Sequence, residues 1–243
     1  SNKKRGEMLV GLEYDKIEFQ LFGLNLLEPN GVIGDIVIFA ISLFFAYKIK
    51  KMAISTPFFN LWRWFFIVFG IGFLVGGFGH LFFNYYGVPG KYGAWYLGIL
   101  SNIFLERAMV SIHPSERFRR IANPITLIKL VLSLTGLTWS ISYFDLNADP
   151  AKGMWFPMFS SVVGVLFCHV YLGIVYAKRI SPVFRYLWIS FIVTVPSVII
   201  LSLKISPAQW YDKNDLAHSF MILGMFFYFF TVWGYSKELK QNL

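Results

Sequence analysis

Residues 61–85 read LWRWFFIVFGIGFLVGGFGHLFFNY, with one charged side chain, Arg63, at the start and one imidazole, His80, near the end. A helix rises 1.5 Å per residue, so roughly 20 apolar residues cross about 30 Å of hydrocarbon. This stretch meets that length with nothing to break it. Six more follow the same pattern, at 31–49, 93–112, 124–144, 155–176, 184–203 and 215–235. The chain of 243 residues is 56% hydrophobic and 20% aromatic, with a mean hydropathy of +0.58. Only 14% of it is charged, against roughly 25% in soluble domains. No single water-soluble core absorbs that composition. The sequence predicts an all-α, polytopic membrane protein: a seven-helix transmembrane domain over 31–243, preceded by an external N-terminal segment, 1–30.

The net charge of +9 has its explanation in topology rather than in nucleic acid. Lys48, Lys50 and Lys51 follow the first span, Arg117, Arg119 and Arg120 the third, Lys178, Arg179 and Arg185 the fifth, and Lys237 and Lys240 the seventh. The opposite loops are poorer in base, and Asp145, Asp149 and Asp212 offset their lysines. Positive charge marks the cytoplasmic side, which predicts a plasma or inner membrane protein with its N-terminus outside and its C-terminus in the cytoplasm. Lys3, Lys4 and Arg5 run against that pattern but stand far from the first span. Tyr85, Tyr86, Trp95, Tyr96, Trp155, Trp210 and Tyr211 are expected as aromatic anchors at the outer interface. In the external segment, residues 17–21 alternate like a strand, whereas Leu24, Leu26 and Leu27 suit an interfacial helix; both remain open. The single cysteine, Cys168, excludes an intrachain disulfide.

Function is sought in the polar residues that interrupt the apolar runs: Asp35, His80, Asn102, Glu106, His169 and His218. Ionisable groups at bilayer depth are costly and face the bundle interior, so they are functional candidates by default. Counting from the span midpoints puts Asp35, His80 and His218 at one depth, roughly 8–11 Å outward of centre. Asp215 stands one turn before His218, where it is either a catalytic carboxylate or part of a helix cap. Gly72, Gly76 and His80 share a face at four-residue spacing, which admits a close neighbour helix or a ligand. Two imidazoles near a carboxylate in an apolar bundle suit Zn²⁺, with His80, His218 and Asp35 as ligands. A hydrogen-bonded structural core is the other account of the same residues. A second layer, Asn102, Glu106 and His169, lies inward, where a Glu106–His169 pair serves either as structural glue or as a proton relay. His113 is expected in a solvent-exposed basic loop.

Gly76-Gly77-Phe78-Gly79-His80 and Asn214-Asp215-Leu216-Ala217-His218 resemble the second- and seventh-helix motifs of the superfamily of alkaline ceramidases and progestin/adipoQ receptors. Gly76 stands where that family has serine, and Asn214 where it has the first histidine of a pair. Leu27-Glu28-Pro29 with Gly34-Asp35 resembles the acidic segment that opens the first helix of ceramidases. The resemblance implies a seven-helix fold, zinc at His80 and His218, a calcium site near Glu28, and hydrolysis of a lipid amide or ester. For such a hydrolase Asp35 or Asp215 completes the zinc site, and the catalytic base is sought among Asp35, Asp215 and Glu28. Three functions stand open: an intramembrane metal-dependent lipid hydrolase, a non-catalytic lipid- or ion-binding receptor, and a small proton-coupled transporter or channel. The expected partner in the first two is a membrane lipid.

Overall fold

A computed structural model describes residues 14–241, and Lys3, Lys4 and Arg5 lie outside them. The described chain opens with a hairpin, β1 (Glu18–Leu21) paired antiparallel to β2 (Leu24–Leu27). Phe22 and Gly23 make the turn, both at positive φ (51° and 77°), which is the twist a two-residue hairpin requires. The alternation at 17–21 thus extends into a second strand, and Leu24, Leu26 and Leu27 are not helical. Leu26 and Leu27 are buried, so the hairpin packs down on the bundle. The Asn25 amide donates to the Tyr85 hydroxyl at 2.8 Å.

Helix α1 (Pro29–Lys51) follows at once, with Pro at its first position, where no N–H is needed. Its buried residues Val32, Asp35, Ile38, Ser42, Phe45, Ala46 and Ile49 recur every three or four positions, one face of a 3.6-residue helix. Asp35 is therefore placed inside by the same periodicity that buries Ile38. Helix α2 (Pro57–Leu81) packs against α1 through glycines: a Cβ on Gly70 would lie 2.7 Å from the Ser42 Cβ. A short α3 (Phe83–Tyr86) and a 3-10 turn lead into α4 (Tyr92–Ser111).

Helix α5 (Glu116–Tyr143) starts earlier than the hydropathy indicates and carries Pro124 inside it. Ser115 caps it, its hydroxyl accepting from the Phe118 amide. His113, just before the cap, is buried and stacked on Phe118 rather than exposed. Helix α6 (Ala151–Val165), a π-helical segment (Leu166–Leu172) and α7 (Gly173–Arg179) run on as one rod. Helices α8 (Arg185–Leu203) and α9 (Lys213–Gln241) complete the chain.

Six of these rods are long and apolar enough to cross a membrane: Pro29–Lys51, Pro57–Leu81, Glu116–Tyr143, Ala151–Arg179, Pro182–Leu203 and Lys213–Gln241. Helix α4 is not among them. It is the helix that carries Glu106 and Arg107, and its neighbours bury much of it. Helices α1, α2, α4, the α6–α7 rod, α8 and α9 contact one another in a closed ring, and α5 packs outside on α4 and α6. Isoleucines, phenylalanines and tryptophans cover the outside of the ring, Ile33, Phe44, Ile128, Phe159 and Trp233 among them, as expected of a surface whose solvent is lipid. One end of the ring is plugged by aromatics. Phe45, Phe58, Trp62, Phe66 and Phe184 are fully buried there, and Phe45 stacks on Phe229 at 4.5 Å. Trp95, expected at the interface, is instead buried beside Ile99 and Leu137. Tyr85, Tyr86, Trp155, Trp210 and Tyr211 are exposed.

Candidate functional site

The other end of the ring is open, and a cavity of about 610 Å³ runs from it down to the aromatic plug. Glu28, Asp35, His80, Asp212, Asn214 and His218 line its mouth; Asn102, His169 and Tyr228 line its inner end. Between them the wall is largely apolar, with Phe65, Phe69 and Phe73 from α2, Val195 and Val198 from α8 and Met221 from α9. A site of this size and character is typical for a small molecule with an apolar body.

The mouth is built from pairs. Glu28 stands at the junction of β2 and α1 in left-handed conformation (φ 52°), which turns the chain from hairpin into helix. Its Oε2 lies 2.8 Å from His80 Nδ1 and 3.2 Å from Lys16 Nζ. Burial works against the charge on Glu28, but the hydrogen bond and charge of His80 and the charge of Lys16 outweigh it, holding the carboxyl at about 2. The hairpin is thereby fastened to α2 by an ionised carboxylate.

Asp35, 4% exposed, sits between two helices. A Cβ on Gly77 would lie 2.9 Å from its Cβ and 3.0 Å from its Oδ2, so a glycine at 77 is what lets the carboxylate in. On the other side His218 Nδ1 lies 3.7 Å from Asp35 Oδ1, and Phe73 meets the His218 ring edge-on at 5.6 Å. That nitrogen has no hydrogen-bond partner. A Cβ on Gly34 would stand 3.3 Å from it, so α1 approaches the imidazole through a glycine as well.

Asp215 is engaged in helix-end contacts. Its Oδ2 accepts from the Asp212 amide at 3.0 Å and from the Asn30 side chain at 2.6 Å, while Asp212 Oδ1 accepts from the amides of Asn214 and Asp215. This is a reciprocal cap of the capping-box type. His80, His218 and Asp35 therefore share one cavity mouth, but each imidazole has its own carboxylate. Among the described residues no three His, Cys, Asp or Glu side chains gather as a metal-ligand cluster.

The inner layer divides differently from the expected Glu106–His169 pair. Glu106, 2% exposed, is bonded to Lys129 from α5, which also donates to the Ser160 carbonyl at 2.9 Å. Gly164 permits this, since a Cβ there would lie 2.9 Å from Glu106 Oε1. His169 has no hydrogen-bond partner at either nitrogen and stacks on Tyr228, centroids 4.6 Å apart. Asn102 donates to the Gly98 carbonyl and to Ser161 Oγ. Lys129, Asn30, Lys16, Asp212 and Tyr228 are the site residues that reading the sequence misses. For Lys129 a signal is present, a lone lysine in the run ITLIKLVLSL (125–134).

No curated protein and no solved structure matches this chain. One family model does, over residues 31–237. The match takes in α4 and four of the transmembrane candidates whole and nearly all of the first and last, with every site residue named above except Lys16, Glu28 and Asn30. The chain belongs to that family, DUF6962, a family of unknown function.

Proposed function

We propose that the protein is a seven-span membrane protein that takes a lipid-like amphiphile into its ring and holds the headgroup at the mouth. The observation that carries this is the apolar-walled cavity of about 610 Å³ with its polar groups collected at one opening. Helix α4 would be the seventh span, sheltered from lipid enough to tolerate Glu106. The basic ends of the spans support an outward mouth and a cytoplasmic C-terminus, in a plasma or inner membrane. Glu28, Asp35 and Asp212 supply acceptors at the opening. The fitting headgroup is thus one rich in donors, such as hydroxyls or an amide N–H. Titration of delipidated protein in detergent with a long-chain monoacylglycerol tests this. Saturable binding, weakened about tenfold in Asp35→Ala, about 1.4 kcal/mol, is the expected result, and absence of saturable binding would overturn it.

Hydrolysis of the bound lipid is a second reading, favoured by one feature of the mouth. Both His80 and His218 turn Nδ1 toward a carboxylate. The hydrogen bond to Glu28 orients the His80 ring, while His218 Nδ1 at 3.7 Å makes none, and Nε2 of each is left to ligate a metal. Zinc on His80 and His218, with Asp35 as oxygen donor, would supply an activated water. Elemental analysis decides it: about one zinc per chain, lost in both His80→Ala and His218→Ala, supports a metal site. No zinc uptake by wild type sinks the reading.

A further inference from the structure

The inner end of the cavity holds a polar side chain with nothing to bond. His169 is 1% exposed, lines the cavity, and has no partner for Nδ1 or Nε2. Its ring lies flat against Tyr228, the planes 14° apart, and both of its nitrogens are buried. Buried polar groups in folded proteins are nearly all hydrogen-bonded, and an exception calls for an explanation. The backbone at His169 is π-helical from Leu166 to Leu172. Such a segment carries an extra residue in its turn and recurs at functional sites.

The surroundings define what the nitrogens would meet. Glu106 is bonded to Lys129. Asn102 commits its amide nitrogen to Gly98 and Ser161, which leaves its oxygen as an acceptor. Ser101 and Ser161 also line the cavity near Asn102, the Ser101 hydroxyl donating to the Gly98 carbonyl, among apolar neighbours that include Phe65, Leu105 and Leu166. A neutral imidazole offers one donor and one acceptor, the complement of a hydroxyl group. From Asn214 at the mouth to Tyr228 beside His169, α9 rises roughly 21 Å at 1.5 Å per residue. An elongated molecule of about that length would reach both polar ends.

We propose that His169 is an inner anchor and that the ligand is polar at both ends. Its headgroup sits at the mouth, its apolar body lies along α2 and α8, and a hydroxyl or carbonyl at its far end hydrogen-bonds His169 beside Asn102. This rests on the amphiphile reading above and narrows its ligand class. A trapped water would satisfy the imidazole instead, and the test separates the two. The purified protein is titrated with a long-chain monoacylglycerol and with its ω-hydroxyacyl counterpart, in wild type, His169→Phe and His169→Gln.

The expected result is about tenfold tighter binding of the ω-hydroxy probe by wild type. The preference should vanish in His169→Phe, which keeps the stacking but loses both nitrogens, and persist in part in His169→Gln, which keeps a donor and an acceptor. Equal binding of the two probes by wild type overturns the inner anchor while leaving the amphiphile reading intact. A preference that survives in His169→Phe removes His169 from the role. Binding of neither probe overturns both proposals. Should His169→Phe fail to fold, the wild-type comparison and His169→Gln still decide.

Discussion

His80 Nδ1 and Glu28 Oε2 stand 2.8 Å apart, and this contact is what joins the hairpin to the second helix at the mouth. Glu28 is ionised far below its ordinary range, held at about 2 against an ordinary value of 4.5. A depressed carboxylate contributes stability that is fully present above about pH 4.5 and is lost as pH falls toward 2. Full loss of the shift corresponds to at most about 3–4 kcal/mol. Thermal unfolding in detergent should therefore show wild type falling toward Glu28→Gln across that window. The two should differ most above pH 5, and parallel curves would refute the clamp.

The approach of Asp35 to Gly77 gives a second prediction. With only 2.9 Å available to a new Cβ, Gly77→Ala forces α1 and α2 apart and should cost roughly 1–3 kcal/mol, the usual range for overpacking. Asp35→Gly removes the atoms it would strike. The double variant should then be less destabilised than the sum of the single ones, by at least about 0.5 kcal/mol. Additive losses in denaturation midpoints would contradict the contact.

Glu106 and Lys129 form an ion pair with 2% and 11% of their side chains exposed. Removing one partner strands a charge, so Lys129→Met alone should cost about 3–5 kcal/mol. Lys129→Met with Glu106→Gln should recover most of it. Melting temperatures of the three proteins in one detergent check this.

Topology is read by cysteine labelling, because the native Cys168 is fully buried. A cysteine at Phe22 in the hairpin turn should react with a membrane-impermeant maleimide in intact cells. One at Lys240 should react only after the membrane is opened. The reverse pattern would invert the orientation.

Six of the seven expected spans, and the meeting of Asp35, His80 and His218, were legible because both follow from counting along rigid rods. Asp35, His80 and His218, placed at one depth by that count, line one cavity mouth. Partnership was not legible. Glu28 reaches His80 only because the hairpin folds back over α2, and nothing in the apolar pattern announces that return. Glu106 finds Lys129 rather than His169 because α5 packs on the outside of α4, a choice of neighbour that hydropathy does not encode. A single lysine among leucines looks like one that extends its ammonium toward the membrane surface, which hides its role. The π-helical turn that carries His169 leaves no periodicity signal, since seven residues are too few to shift an apolar stripe.

The most direct test of amphiphile binding uses Gly98, which lines the cavity and where a Cβ would meet no atom within 4 Å. Gly98→Leu places an apolar side chain at the cavity wall from a position where its Cβ meets no atom. Lipid retained by wild type and by Gly98→Leu after gentle purification is weighed by native mass spectrometry, with melting temperatures measured in parallel. A retained amphiphile in wild type, absent from an equally stable Gly98→Leu, is the predicted result. Equal retention by both, or none by wild type, would contradict the account.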